Sequence, residues 1–217
     1  MASLKNTMRK SRILVVVLSI VLALMILQLS VHAYTHRQIQ PAKGDQPLIW
    51  YFAYGSNMST RYLSNIRNVS VIESKQAVLY DHQVRFSLSG IQPIEPGFAA
   101  LHEATDHISY GVAHQIPTTD FERVIASEGD DYYVKQVTLT LPNGEQINAT
   151  TLVSKTDPLS DIIPSQRYLN ILIEGATEHQ LPEKYVKELR GYDGAYIPIL
   201  SELFGSVIYL SVMIASG

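Results

Sequence analysis

The chain has 217 residues, 46% of them hydrophobic, a net charge of only −3 and no cysteine. That length holds about one domain with appendages. The weak, scattered charge excludes an electrostatic footprint for nucleic acid, and the missing thiols exclude a disulfide framework, a thiolate nucleophile and zinc–thiolate sites.

Residues 1–12 are basic through Lys5, Arg9, Lys10 and Arg12. Residues 13–33, ILVVVLSIVLALMILQLSVHA, follow without a charge and are long enough to cross ~30 Å of hydrocarbon. The expectation is a single-pass transmembrane anchor. By the positive-inside rule its N-terminus is cytoplasmic and the folded part lumenal or extracellular. A cleaved signal peptide is the alternative, because Val31-His32-Ala33 fits the small-residue pattern before a cut, although the run exceeds the usual apolar core of about 7–15 residues. Residues 34–47 are polar, with two prolines, and read as a stalk.

The domain is expected over residues 48–190. Leu48 to Tyr54 is a short apolar run of strand length. Met58, Tyr62, Leu63 and Ile66 then recur at helical spacing. Residues 78–88, 98–101 and 110–116 have β character. TTDFERVIASE opens a helix at Thr118 or Thr119, with Glu122 as the partner side chain of a capping box. Residues 133–141 and 147–153 alternate apolar and polar, and the Asn143-Gly144 pair between them suits a tight hairpin. SQRYLNILIEGATEH puts Tyr168, Leu169, Leu172, Ile173 and Ala176 on one face, and PEKYVKELRG is a second helix between Pro182 and Gly191. Strands with two or three interspersed helices predict a mixed α+β domain whose sheet curls into a small barrel. The apolar tail over 191–217 is either a second span or an element packed on the domain. Pro198 and Glu202 interrupt it, and burying Glu202 in a bilayer costs roughly 2.5–3.5 kcal/mol.

Chemistry-bearing motifs are few. HEATDH, residues 102–107, looks like a polar loop between strands, and its histidine spacing does not place two metal ligands on one helix face. No metal is expected. Neither a Gly-x-Ser-x-Gly elbow nor a phosphate-loop Gly-x₄-Gly-Lys occurs. Two features remain. One is the strand-to-turn corner at Tyr54-Gly55-Ser56-Asn57, where backbone N–H groups can point at an anion, or which simply turns the chain. The other is Glu128, at the end of a helix where the negative end of the dipole weighs against its charge. A carboxylate so placed suits proton transfer, but SEGDDYY is equally a solvated acidic loop.

YFAYGSN, the Glu128-Gly129 pair after a mid-domain helix, and PSQRYLNILIEGATEHQLPEKYVKEL occur in this order across residues 48–190. Together they resemble the γ-glutamylcyclotransferase family. The Tyr-Gly-Ser-Asn form is similar to the broad branch of that family, whereas the glutathione-specific branch shows Tyr-Gly-Ser-Leu. RFSLSGIQPIEPGFAALHEA resembles fungal members associated with sulfur-containing secondary metabolites.

The resemblance implies a γ-glutamylcyclotransferase-like barrel and a cofactor-independent, lyase-type reaction. In it the α-amine of a γ-glutamyl compound attacks its own γ-carbonyl, giving 5-oxoproline and a free amine. It implies Glu128 as the catalytic base and then acid. Tyr54, Gly55, Ser56 and Asn57 would hold the glutamyl end, and Tyr133 matches a family tyrosine that orients substrate or Glu128. The alternative is a non-catalytic, membrane-tethered binding module of the same fold.

Asn57-Met58-Ser59, Asn68-Val69-Ser70 and Asn148-Ala149-Thr150 are glycosylation sequons. A glycan on Asn57 would block the expected pocket. The charge rule therefore argues for a lumenal domain, and the supply of γ-glutamyl substrates argues for a cytoplasmic one.

Overall fold

The computed structural model describes residues 46–128, 130–157 and 160–196. The anchor expected over 13–33, the stalk up to residue 45 and the tail from residue 197 lie outside the described residues. Among the described residues no helix is long and apolar enough to cross a membrane.

Five strands form a closed mixed barrel: β1 (Leu48–Ala53), β2 (Glu73–Ile91), β3 (Glu95–Pro117), β4 (Tyr132–Thr140) and β5 (Gln146–Ser154). Their spatial order is β1-β3-β2-β4-β5, and the parallel pairing of Tyr51 with Thr150 closes β5 onto β1. Closure leaves no unpaired edge. Helix α1 (Thr118–Glu128) connects β3 to β4, while α2 (Gln166–Glu178) and α3 (Glu183–Arg190) follow the last strand. Phe52, Leu101, Val112, Ile116 and Leu139 fill the interior, and Leu169 and Leu172 of α2 join the same core.

β1 becomes progressively buried along its length, from exposed Leu48 to fully buried Phe52 and Ala53. It thus delivers the Tyr54–Asn57 corner into the interior. β2 and β3 form one long hairpin that merges the shorter segments read from the sequence. Register shifts between Tyr80 and His82 and between Phe86 and Leu88 break the two-residue alternation, which is why the pattern looks interrupted in sequence. HEATDH accordingly lies within β3 rather than between two strands. Its residues 104–107 loop out opposite Asp81, whose carboxylate accepts the Asp106 N–H at 3.1 Å.

Two local expectations change. Met58 to Ile66 is not a regular helix but a 3-10 turn over Ser56–Met58 and a wide π-type turn over Tyr62–Ile66. Ser59 Oγ accepts the Tyr62 N–H at 3.2 Å, and the Arg67 N–H reaches back to the Tyr62 carbonyl. Ser59 thus acts as an N-cap, so the helical turn starts after Ser59 and not at Met58.

The capping box at α1 does not form either. Thr118 Oγ1 donates to the Pro47 carbonyl and Thr119 Oγ1 to Gln46 Oε1, which ties the helix start to the chain entering β1. Buried Asp120 in the first turn instead accepts the Ser70 N–H and pairs with Arg123. The β4–β5 hairpin turns at Gly144 with φ +84°, the left-handed conformation that glycine adopts freely.

Candidate functional site

Where the C-terminal end of β1 meets the end of α1 and the start of α2, a cavity of about 300 Å³ opens. Tyr54, Gly55, Ser56 and Asn57 form one wall, and Ser127 and Glu128 close α1 against it. Among the described lining residues Glu128 is the only carboxylate. The structure therefore brings the turn at residues 54–57 and Glu128 together across 71 residues of chain.

Glu128 is held tightly. Asn57 Nδ2 donates to its Oε1 at 3.2 Å, and the same amide donates to the Tyr51 hydroxyl at 3.0 Å. Arg67 forms an ion pair with Oε1 at 2.7 Å. Its other terminal nitrogen donates to Ser127 Oγ, and its guanidinium lies 5.9 Å from the Tyr62 ring centroid. Both contacts to Glu128 thus fall on one oxygen, and Oε2 has no partner among the described residues.

A carboxylate only accepts, so Glu128 fixes which way the Asn57 amide points. Asn57 Oδ1 is then left buried without a partner, as is Arg67 Nε. An orphaned buried acceptor costs about 1–3 kcal/mol.

The turn itself is set from behind. His114 of β3 is completely buried; its Nε2–H donates to the Asn57 carbonyl at 3.0 Å, and its Nδ1 accepts from Ser74 Oγ at 2.8 Å. Burial, helped by neighbouring His179, lowers the His114 pKa to about 3, so the ring is neutral and this tautomer persists. A Cβ at Gly175 of α2 would lie 2.5 Å from the Ser59 nitrogen, so only glycine lets α2 seat against the residues that follow the turn. The N–H groups of Gly55 and Asn57 take no carbonyl partner among the described residues. That of Ser56 acts with the Ala99 N–H, at 3.2 Å, on the Tyr168 hydroxyl.

Residues 109–189 match the AIG2-like family. Over 58% of this chain and 83% of the relative, the sequence is 31% identical to gamma-glutamyl cyclotransferase verK of Clonostachys rogersoniana. The chain belongs to the γ-glutamylcyclotransferase family. It is also 25% identical to gamma-glutamyl cyclotransferase aclK of Aspergillus oryzae, over 75% of this chain and 68% of that one. With the human gamma-glutamylcyclotransferase it shares 26% identity over 69% of this chain and 81% of the relative. A solved gamma-glutamyl cyclotransferase structure superposes with a TM-score of 0.63 at 22% identity, covering 75% of this chain and 98% of that one. The small mixed barrel with peripheral helices is thus the γ-glutamylcyclotransferase-like fold.

Within this family frame, Tyr133 does not reach the cavity. It is partly exposed on the outer face of β4, and its hydroxyl donates to Glu103 Oε1 at 3.0 Å. Successive strand residues point to opposite faces, so Tyr132 lines the cavity instead, with its hydroxyl 3.3 Å from the Ala99 carbonyl. Without knowing where the strand resumes after Glu128, the sequence offers no way to choose between the two.

Tyr51, Arg67, Arg167 and Tyr168 also line the cavity, and nothing local in the sequence marks them as site residues. Tyr51 and Tyr168 look like ordinary core aromatics in their periodic settings, and the arginines carry no local signature. Tyr54 lines the cavity too, but its hydroxyl donates to the Leu152 carbonyl at 2.8 Å, tying the turn to β5. Burial raises the hydroxyl pKa values of Tyr51, Tyr54, Tyr132 and Tyr168, and the charge of Glu128 raises each further. These hydroxyls stay protonated, so none of the four can act as the base.

Proposed function

We propose that this chain is an active γ-glutamylcyclotransferase that converts γ-glutamyl compounds to 5-oxoproline and the free amine. The observation that carries this reading is the clamped Glu128. Two donors fix Oε1 and leave Oε2 to work, beside the Tyr54–Asn57 turn in one cavity.

The glutamyl α-carboxylate and the γ-carbonyl oxygen need donors, which the N–H groups of Gly55 and Asn57 can supply. The substrate α-ammonium needs an acceptor, and Glu128 Oε2, without a partner among the described residues, can supply it. Glu128 takes one proton from the ammonium, and the freed amine nitrogen forms a bond to the γ-carbonyl carbon. The same carboxyl then returns the proton to the leaving nitrogen as the old C–N bond breaks. The carboxylate so regenerated takes the second proton from the new ring nitrogen and passes it to the departing amine, which leaves as the ammonium. Folding the glutamyl chain on itself makes the attack unimolecular, which is where much of the rate comes from. The backbone donors at the turn stabilise the developing oxyanion.

Incubating the protein with γ-glutamyl-alanine and assaying 5-oxoproline tests this. Glu128→Gln should lower kcat by roughly 10²–10⁴, the usual worth of one general acid–base group. Equal product from wild type and variant would refute the mechanism.

The membrane placement belongs to the same proposal. The uncharged run over 13–33 and the basic residues before it support a single-pass anchor with the domain on the lumenal or extracellular side. In support of that side, Asn57 is buried and its amide nitrogen serves Tyr51 and Glu128, which argues against a glycan in the pocket. Asn68 and Asn148 are exposed. A mass decrease on glycosidase treatment, abolished by Asn68→Gln with Asn148→Gln, is the expected result; no shift would place the domain in the cytoplasm.

A further inference from the structure

A second cation lines the cavity, and neither turn nor base uses it. Arg167, in the first turn of α2, shares that wall with Leu88 and Ser89 of β2 and Phe98 of β3. Its Nε donates to Glu95 Oε1 at 2.5 Å. Glu95 is 2% exposed, and its other oxygen accepts from Ser165 Oγ at 2.8 Å. Ser165 in turn caps α2 by accepting the Tyr168 N–H at 3.0 Å. The guanidinium is therefore anchored through Nε alone, by a carboxylate that is itself fully engaged.

Its terminal nitrogens have no partner among the described residues. With Nε turned to Glu95, they are what Arg167 has left to offer the cavity. A planar fork of free N–H donors matches a carboxylate in geometry and charge.

Resting on the cyclotransferase reading, we propose that Arg167 is a specificity-determining residue that receives a carboxylate on the leaving half of the substrate. The glutamyl end is accounted for by the turn and Glu128, on the wall built from β1 and α1. Arg167 stands on the wall built from β2, β3 and α2, whose apolar members suit the body of a leaving amine. The enzyme thus selects γ-glutamyl amino acids and peptides with a free carboxylate over γ-glutamyl amines that lack one. Glu95 is a positioning residue that holds the fork in place.

The test compares γ-glutamyl-alanine with γ-glutamyl-alaninamide, which differ in that charge alone. Binding is measured by calorimetry on the full-length protein carrying Glu128→Gln, and turnover on the wild type. The carboxylate form should bind about tenfold or more tightly, the range of a charge-assisted hydrogen bond, and its kcat/KM should lead by a similar factor. Arg167→Gln should bring the ratio of the two Kd values to about one. Because that variant strands the buried Glu95 carboxylate, the pair Glu95→Gln with Arg167→Gln provides a second, charge-neutral version with the same expected ratio. Equal affinities in the presence of Arg167, a ratio that survives both variants, or binding of neither ligand would overturn the inference. Selective binding without 5-oxoproline release would instead overturn the cyclotransferase reading and leave the carboxylate receptor standing.

Discussion

Arg67 decides how Glu128 is presented. Removing it leaves the carboxylate with only the Asn57 amide, and Ser127 loses its donor. Arg67→Met should reduce kcat/KM by roughly tenfold to a hundredfold, in the range of a lost charge-assisted hydrogen bond at a site that must be held within a fraction of an ångström. Arg67→Lys should restore only part of the loss, because a point charge cannot hold Ser127 and Glu128 with one planar group. Steady-state kinetics on the three proteins checks this, and full activity in Arg67→Met would remove Arg67 from the site. At this scale the sequence marks Tyr54 to Asn57 and Glu128 as candidates, since a turn motif and a helix-end acid are local signals, and the structure sets them on one cavity. Arg67 was not, because a guanidinium ten residues beyond the turn acquires its role only when the π-type turn returns it to α1.

At the scale of elements, the contact between α2 and the chain after the turn controls the cavity. Gly175 meets Ser59 N and the Met58 backbone at 2.5 and 2.7 Å from where a Cβ would stand. Backbone cannot yield as a side-chain tip can, so Gly175→Ala should push α2 outward. It should cost about 1–3 kcal/mol, read as a fall in the denaturation midpoint, and should raise KM because Arg167 and Tyr168 ride on the same helix. An unchanged midpoint would show that α2 tolerates the displacement. The helices α2 and α3 were readable from their apolar faces, their Ser165 and Pro182 starts and Gly191. The 58–66 segment departs from its helical spacing because the chain is still in the 3-10 turn at Met58, packed against Gly175, and Ser59 caps only the short turn that follows.

For the whole molecule, buried His114 ties stability to pH. Its pKa is lowered to about 3 in the folded protein, against about 6.5 for a free imidazole. The unfolded chain therefore binds a proton below about pH 6.5 that the folded chain refuses, and stability falls as pH drops through that window. The loss should approach 1.4 kcal/mol per pH unit between about pH 6 and 4. Half-buried His179, also lowered mainly by burial, acts in the same direction. Chemical denaturation at stepped pH measures the slope, and His114→Gln should flatten it; a slope unaffected by that substitution would assign the acid sensitivity elsewhere. The ring's hold on the Asn57 carbonyl links this stability to the turn that faces the cavity.

By itself the sequence determined the elements and the motif-bearing residues, because periodicity, caps and turn chemistry act over a few positions. It located β1 and its turn, the helix ending at Glu128, the Asn143-Gly144 hairpin and the two last helices. Only the tertiary structure decided which side chains meet. Barrel closure brings residues 54–57 beside Glu128. Strand alternation turns Tyr132 inward and Tyr133 to Glu103 at the surface. Arg67 and Arg167, separated by a hundred positions, come to one cavity. Long-range packing sets those neighbours, and packing is a property of the folded whole that no local pattern carries.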